Sequence, residues 1–260
     1  IGTAKATLAE RENIPHHFLD FLNPDEEYNA GKYEREVEFL LEKLFQEKDV
    51  IIIVGGSTLY INALWNGIDD IPEVKPEIRA ELNQAFLDKG LQPLLDELAQ
   101  NDLATYNTID RKNHVRIIRA LEVLRSTGLP ISHFRTGKKH KNIDYQNIKI
   151  CLTAERELLY ERIDKRVEMM LAEGLVAEVE NLLKMGYSPD LSSLQAIGYK
   201  EVIDFLEGKI DKTTMISQIQ QHSRNYAKRQ LTWFRRDKDL MWEESGNQLE
   251  ILTNIQTKIL

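Results

Sequence analysis

The sequence predicts an α/β fold. That prediction rests on the β-branched run Val50-Ile51-Ile52-Ile53-Val54, the glycine pair Gly55-Gly56 that ends it, and helical apolar spacing on both sides. A continuous β-branched run suits a strand buried on both faces of a parallel sheet. Upstream, Val37, Leu40, Leu41 and Leu44 predict a helix over 33–46. Downstream, a helix is predicted over 58–65, with Asn66-Gly67 marking its end. Helix, strand, glycine turn and helix in that order indicate an α/β unit.

From about Val74 to Thr127 the pattern changes to charged, helical sequence without a β-branched run. Tyr106-Asn107-Thr108-Ile109-Asp110 is expected to break two helical stretches, and a helix over 113–125 is closed by Gly128. A second strand is predicted over 148–152, with Thr153 as the N-cap of a helix over 154–173. That helix is expected to bury Leu158, Leu159, Ile163, Val167, Met170 and Leu171 and to stop at Gly174. Further helices are predicted over 176–185, 201–206 and 213–229. The expected organisation is an α/β core over 1–73 and 144–260, with a mainly helical insertion over 74–143.

The chain has 260 residues, enough to bury one large core or two modest ones. No apolar run approaches the ~20 residues that span a bilayer. No n-region, h-region and cleavage site open the sequence. Cys151, the one cysteine, excludes an internal disulfide and suits a reducing compartment, so a cytoplasmic location is expected. It lies in an apolar run and reads as a small hydrophobe. A net charge of -8 argues against non-specific nucleic-acid binding. Local distribution qualifies that: Arg224, Lys228, Arg229, Arg235, Arg236 and Lys238 crowd one stretch, and Arg135, Lys138, Lys139, His140 and Lys141 another. A solvated face is the ordinary reading of such runs.

Gly55-Gly56-Ser57 follows the strand run and opens a helix. Backbone amides there can surround an anion, glycine admits the ligand to the backbone, and the Ser57 hydroxyl can donate to a phosphate oxygen. On its own the triplet reads first as an ordinary strand-to-helix turn. Arg162 and Arg166 share a helix face and can hold a diphosphate by bidentate bonds, or pair with nearby acids on the helix surface. Arg116 and Arg119 pose the same choice. The segment from Arg224 to Lys238 interleaves basic residues with Tyr226, Trp233 and Phe234, a pattern that suits RNA phosphates and stacked bases, or a core face with solvated charges. His16-His17 lacks further ligands at metal spacing.

Taken in order, these segments resemble the tRNA dimethylallyltransferases. Ile1-Gly2-Thr3-Ala4-Lys5 resembles an "IGTAK" element, and Pro15-His16-His17-Phe18-Leu19-Asp20 a "PHH" element ending in aspartate. Asn23-Pro24 and Tyr28-Asn29-Ala30 resemble the family's next segment, and Val54-Gly55-Gly56-Ser57-Thr58-Leu59-Tyr60 is similar to a "VGGTGLY" element. Arg116 to Val123 resembles "RxxRALEV", Arg162 to Gly174 resembles "RxxxRvxxMxxxGl", Ile197 to Glu201 resembles "IGYKE", and Lys228 to Arg235 resembles "KRQxTWxR". Ser57 stands where the family usually has threonine, and Ala6 replaces a common proline. The family's P-loop and general-base aspartate are expected before Ile1.

The resemblance implies a P-loop NTPase-like (nucleotide-kinase-like) parallel-sheet core with a helical insertion domain. It also implies transfer of a dimethylallyl group from dimethylallyl diphosphate to an adenine beside a tRNA anticodon, with Mg²⁺ as cofactor. The partners implied are the tRNA anticodon loop and dimethylallyl diphosphate, with no membrane, and the protein is expected to be a monomer. By the same resemblance Ser57 and Arg166 are catalytic. Gly55, Gly56, Ser57, Arg162 and Arg166 bind diphosphate. The tRNA surface comprises Val115-Arg116-Ile117-Ile118-Arg119, Gln195-Ala196-Ile197-Gly198-Tyr199-Lys200 and Lys228-Arg229-Gln230-Leu231-Thr232-Trp233-Phe234-Arg235. No metal ligand is assigned. Two other readings stay open: a small-molecule kinase on the same fold, and an RNA-binding fragment inactive without a preceding segment.

Overall fold

The computed structural model describes residues 1–135 and 145–259. The chain divides into two compact units. The first comprises Ile1–Tyr28, Gly56–Thr58 and Asp144–Leu260, and the second Asn29–Gly55 and Leu59–Ile143. The helical stretch expected over 74–143 lies within the second unit, which also takes in 29–55 and 59–73.

The second unit opens with α1 (Ala30–Leu44), whose first turn is capped by the Asn29 side chain accepting from the Lys32 amide at 2.9 Å. Helix α2 (Thr58–Asn66) belongs to it beyond Thr58. Then follow α3 (Pro76–Lys89), α4 (Gln92–Asn101), α5 (Leu103–Thr108), α6 (His114–Thr127) and α7 (Ile131–Phe134). The predicted break at 106–110 is shorter than expected, because α5 runs through Thr108 before the chain turns. Helix α6 is the hub. Ile117, Ile118, Ala120, Leu121 and Val123 are buried against Leu82 of α3 and Leu94 and Leu98 of α4. Gly128 ends it at φ 74°, a left-handed cap that glycine takes at little cost.

One carboxylate is sealed into this apolar interface. Glu122 is 1% exposed, and Arg79 of α3 donates to it from Nε at 2.6 Å and from Nη2 at 3.1 Å. Arg119 adds a third bond at 3.3 Å. Both arginines keep contact with solvent, whereas the carboxylate has none. Removing the arginine and removing the acid are therefore not equivalent. Arg79→Ala leaves the buried charge only its longer bond to Arg119 and is expected to destabilise the unit by about 3 kcal/mol. Glu122→Gln keeps an acceptor, leaves arginines that water can reach, and is expected to cost under about 1.5 kcal/mol. Urea unfolding of both variants checks the order, and the reverse order would refute this account.

The first unit contains the two strands found among the described residues. Strand β1 (Ile150–Thr153) pairs in parallel with β2 (Met241–Glu244), Ile150 opposite Met241 and Thr153 opposite Glu244. A parallel pair needs a long crossover, and here the chain between them forms α8 (Arg156–Ala172), α9 (Leu175–Lys184), α10 (Tyr199–Leu206) and α11 (Lys212–Phe234). Val167, Met170, Leu175, Val179, Leu194, Val202, Ile203, Met215 and Ile219 make their core. Gly174 separates α8 from α9 at φ 101°, which disfavours any residue with a Cβ. Helix α11 starts on the Asp211 side chain, which accepts from the Thr214 amide at 2.7 Å, and its 23 residues extend roughly 34 Å. A last helix, α12 (Gln248–Ile259), follows β2.

Several sequence expectations are corrected. Val50–Val54 forms no strand, and Ile52 and Val54 are 82% and 90% exposed. Among the described residues no neighbouring strand pairs with it, and an extended segment cannot satisfy its own backbone N–H and C=O groups. Thr153 ends β1 instead of capping α8, which is preceded by Glu155. Leu158 faces solvent, because the buried stripe of α8 is carried by Val167 and Met170. Helix α11 runs five residues past the predicted end at 229, and β2 and α12 were not expected.

Candidate active site

Helix α11 sets the geometry around the glycine turn. It presents Tyr226 and Gln230 one turn apart, on one face. The Gln230 amide donates to the Gly56 carbonyl at 2.6 Å, and the Tyr226 hydroxyl approaches the same oxygen at 3.5 Å. A Cβ on Gly56 would lie 2.3 Å from the Gln230 nitrogen, so only glycine permits this approach. Gly55 has no such constraint, since nothing lies within 4 Å of the corresponding position. Ser57 follows with its side chain exposed, immediately before the first residue of α2.

Beside this turn runs an open groove of about 420 Å³, lined by Thr58, Tyr226, Lys228, Arg229, Gln230, Thr232, Trp233 and Arg236. Thr58, Tyr226 and Arg236 were not assigned from sequence. The spacing Tyr226–Gln230 was the available signal for Tyr226. The groove wall is basic. Lys228, Arg229 and Arg236, with Arg235 next to them outside the lining, are exposed, and none pairs with a carboxylate among the described residues. Unbalanced positive charge on one helix face attracts a polyanion despite the acidic total. The Arg229 guanidinium lies 5.7 Å from the Tyr226 ring centre. Trp233 is half-buried and meets Phe234 edge to face at 5.1 Å.

Helix α8 carries the two predicted diphosphate arginines. Arg162 is exposed and donates to the Ser245 hydroxyl at 2.8 Å, while Arg166 is exposed and makes no ion pair among the described residues. Helix α8 packs against α11, where Arg224 pairs with Asp164 and lies 6.0 Å from the Tyr160 ring centre. No hydrogen bond among the described residues links either arginine directly to Ser57.

The loop over 195–200 is fixed from beneath. Glu201 is 3% exposed; it accepts from the Gly198 amide at 2.7 Å and contacts His222 Nδ1 at 2.6 Å. Gln195, Ala196 and Lys200 are exposed above it, and Ile197 is half-buried. Tyr199 is different. Its ring joins the core and its hydroxyl donates to Glu178, and burial first, then that carboxylate, raise its pKa.

Burial also turns other predicted RNA residues inward. Ile117, Ile118, Tyr199 and Phe234 are buried, so their side chains support the surface from behind instead of forming it. Apolar positions at helical spacing face a core, and this outweighs their place in a motif. Val115 and Arg116 are exposed on α6, and Arg119 is half-buried on Glu122. Leu231 is half-buried and Thr232 exposed on α11. Of the second basic cluster, Arg135 is exposed, and Lys138, Lys139, His140 and Lys141 lie outside the described residues.

Residues 1–237 match the IPP transferase family. The chain belongs to that family. A tRNA dimethylallyltransferase of Cytophaga hutchinsonii is 43% identical over 260 residues, covering all of this chain and 84% of its own length. That of Christiangramia forsetii is 41% identical over 260 residues, with 85% of its length covered. The solved full-length tRNA isopentenylpyrophosphate transferase of Bacillus halodurans is 34% identical, with a TM-score of 0.68 over 99% of this chain and 82% of that one. A eukaryotic dimethylallyltransferase solved acting on tRNA is 24% identical with a TM-score of 0.78 and bears on the fold alone. The P-loop-like α/β class expected from sequence is thus the fold of this chain. Among its described residues no helix is long and apolar enough to cross a membrane.

Proposed function

We propose that the chain transfers a dimethylallyl group from dimethylallyl diphosphate to the exocyclic amine of the adenine 3′-adjacent to the anticodon of certain tRNAs, giving N6-isopentenyladenosine. The observation that carries this reading is the glycine turn with its exposed Ser57 hydroxyl, held against a helix whose outer face is basic and carries Lys228 and Arg229 without carboxylate partners among the described residues. One side suits a diphosphate and the other a nucleic-acid backbone. The relatives' names agree with that division.

In the reaction the amine nitrogen bonds to the terminal allylic carbon while that carbon's bond to the diphosphate oxygen breaks. The departing diphosphate takes the electron pair. The amine proton passes to a general base that none of the assigned residues supplies. Ser57 donates a hydrogen bond to a diphosphate oxygen, where negative charge grows as the bond breaks. Gly55 and Gly56 admit the diphosphate to the backbone, and Arg166, with Arg162, neutralises its charge. The target base is stacked in the anticodon loop and must be extruded to reach the site. Lys228, Arg229, Arg235 and the loop bearing Gln195 and Lys200 hold the backbone around it, with Arg116 in a like role on α6.

Among the described residues no three His, Cys, Asp or Glu side chains gather as a cation site. The described residues therefore form no Mg²⁺ cage of their own, and Mg²⁺ bound with the diphosphate beside Ser57, Arg162 and Arg166 would add charge stabilisation as the allylic bond breaks. A cytoplasmic location accords with the tRNA substrate.

The test is transfer of labelled dimethylallyl from its diphosphate to unmodified tRNA, with Mg²⁺ present. Incorporation at the adenine beside the anticodon supports the reading. Tight tRNA binding with no incorporation favours an RNA-binding role. Heat protection by ATP but not by dimethylallyl diphosphate favours a kinase. Lys228→Ala is expected to weaken tRNA binding and lower the slope of log K against log salt by about 1. An unchanged slope would remove Lys228 from the interface.

A further inference from the structure

Gln230 lies within a basic run that reads as RNA surface, yet its side chain is half-buried and turned back onto the glycine turn. Its amide takes the Gly56 carbonyl at 2.6 Å, with the Tyr226 hydroxyl at 3.5 Å from the same oxygen. All peptide bonds among the described residues are trans. In a planar trans peptide the next N–H points opposite to the C=O. Drawing the Gly56 carbonyl toward α11 therefore turns the Ser57 N–H to the opposite side of that peptide, and it fixes the peptide that carries the Ser57 hydroxyl. The absence of a Cβ on Gly56 points the same way, since a Cβ there would lie 2.3 Å from the Gln230 nitrogen and obstruct this contact.

We propose that Gln230 is a positioning residue for the diphosphate: it sets the Gly56–Ser57 peptide so that the Ser57 amide and hydroxyl are presented to the leaving group. Its contribution is to diphosphate affinity and turnover and not to tRNA affinity, although Lys228 and Arg229 just before it are the residues proposed to face RNA. This rests on reading Gly55–Ser57 as the diphosphate turn. It also gives α11 two tasks on two faces, because Lys228 and Arg229 occupy the two positions just before Gln230.

Three variants separate these roles. Gln230→Met keeps length and removes the donor. Gln230→Glu keeps shape and removes the donor, and it supplies the same diphosphate comparison if methionine disturbs the helix. Gln230→Lys restores a donor of similar reach. The probes are inorganic diphosphate, as a competitor against dimethylallyl diphosphate, and unmodified tRNA titrated without diphosphate. Losing the Gln230 hydrogen bond to the Gly56 carbonyl is expected to weaken diphosphate competition about tenfold in Gln230→Met and Gln230→Glu. Gln230→Lys is expected to recover most of that loss, and tRNA affinity in Gln230→Met to stay within about twofold of the unsubstituted protein. Weakened tRNA binding with unchanged diphosphate competition would make Gln230 an RNA contact and overturn the proposal, as would no change in either. Failure of inorganic diphosphate to compete in the unsubstituted, active enzyme would overturn the diphosphate turn itself, and the positioning role with it. Normal competition there with no loss in the variants would overturn the positioning role alone.

Discussion

Ser57→Ala is expected to lower kcat about 10²-fold while tRNA affinity stays within about twofold. The hydroxyl is exposed, follows the turn held by Gln230, and packs into no core cluster. Its removal leaves no buried cavity, and the fold should melt at nearly the same temperature. On the proposed role of Ser57, what is lost is a donor to an oxygen that gains negative charge only as the allylic bond breaks. Such a donor acts more on the transition state than on the bound substrate, so kcat falls more than KM rises. Ser57→Thr keeps the hydroxyl and is expected to retain turnover within a few fold. Single-turnover transfer to saturating tRNA is the measurement. An Ala variant with undiminished single-turnover rate would remove Ser57 from the mechanism.

How far the sequence disclosed this arrangement depends on the range of the interactions involved. Helices with strong local signals were legible. Gly128 and Gly174 end their helices in left-handed conformations, as read from the sequence, whereas the capping side chains Asn29 and Asp211 were not picked out from it. Such signals act within a turn of chain, so the sequence carries them openly. Val50–Val54 shows the opposite case. Its composition is that of a buried strand, but strand formation needs a partner from elsewhere, and none is found among the described residues. Strand β2 was missed for a related reason: Met241–Glu244 lacks β-branched residues and is a strand because it pairs with Ile150–Thr153.

The site was legible as an ordered set of segments and not as geometry. Motif membership does not reveal which way a side chain turns. Tyr199 sits in a segment resembling "IGYKE", yet its hydroxyl is committed to Glu178 and its ring to the core. Ile117 and Ile118 lie between two arginines of another motif and are buried by the helical period alone. Gln230 is the instructive case, because neither period nor composition separates it from Lys228 and Arg229. Only the folded contact to a carbonyl 174 positions away in sequence does so.

That contact makes Gly56→Ala the second large effect, and it should differ in kind from Gly55→Ala. At Gly56 an added Cβ would sit 2.3 Å from the Gln230 nitrogen and 3.4 Å from its Cδ. The obstructing atoms are the end of a flexible side chain, so the protein is expected to fold, with Gln230 displaced and its bond to the Gly56 carbonyl lost. The turn then loses its anchor on α11, and transfer efficiency with dimethylallyl diphosphate is expected to fall about 10²-fold, the scale of a lost preorganised donor set. At Gly55 an added Cβ meets nothing within 4 Å, so any loss there reports crowding of the ligand and not of the protein. A double-mutant cycle decides between the two causes at Gly56. If the clash with Gln230 is what matters, Gly56→Ala combined with Gln230→Ala should be no worse than the poorer single variant, because both remove the same bond. Losses that multiply would mean that Gly56 acts on the ligand independently of α11, and the tie between the turn and the helix would carry no catalytic weight.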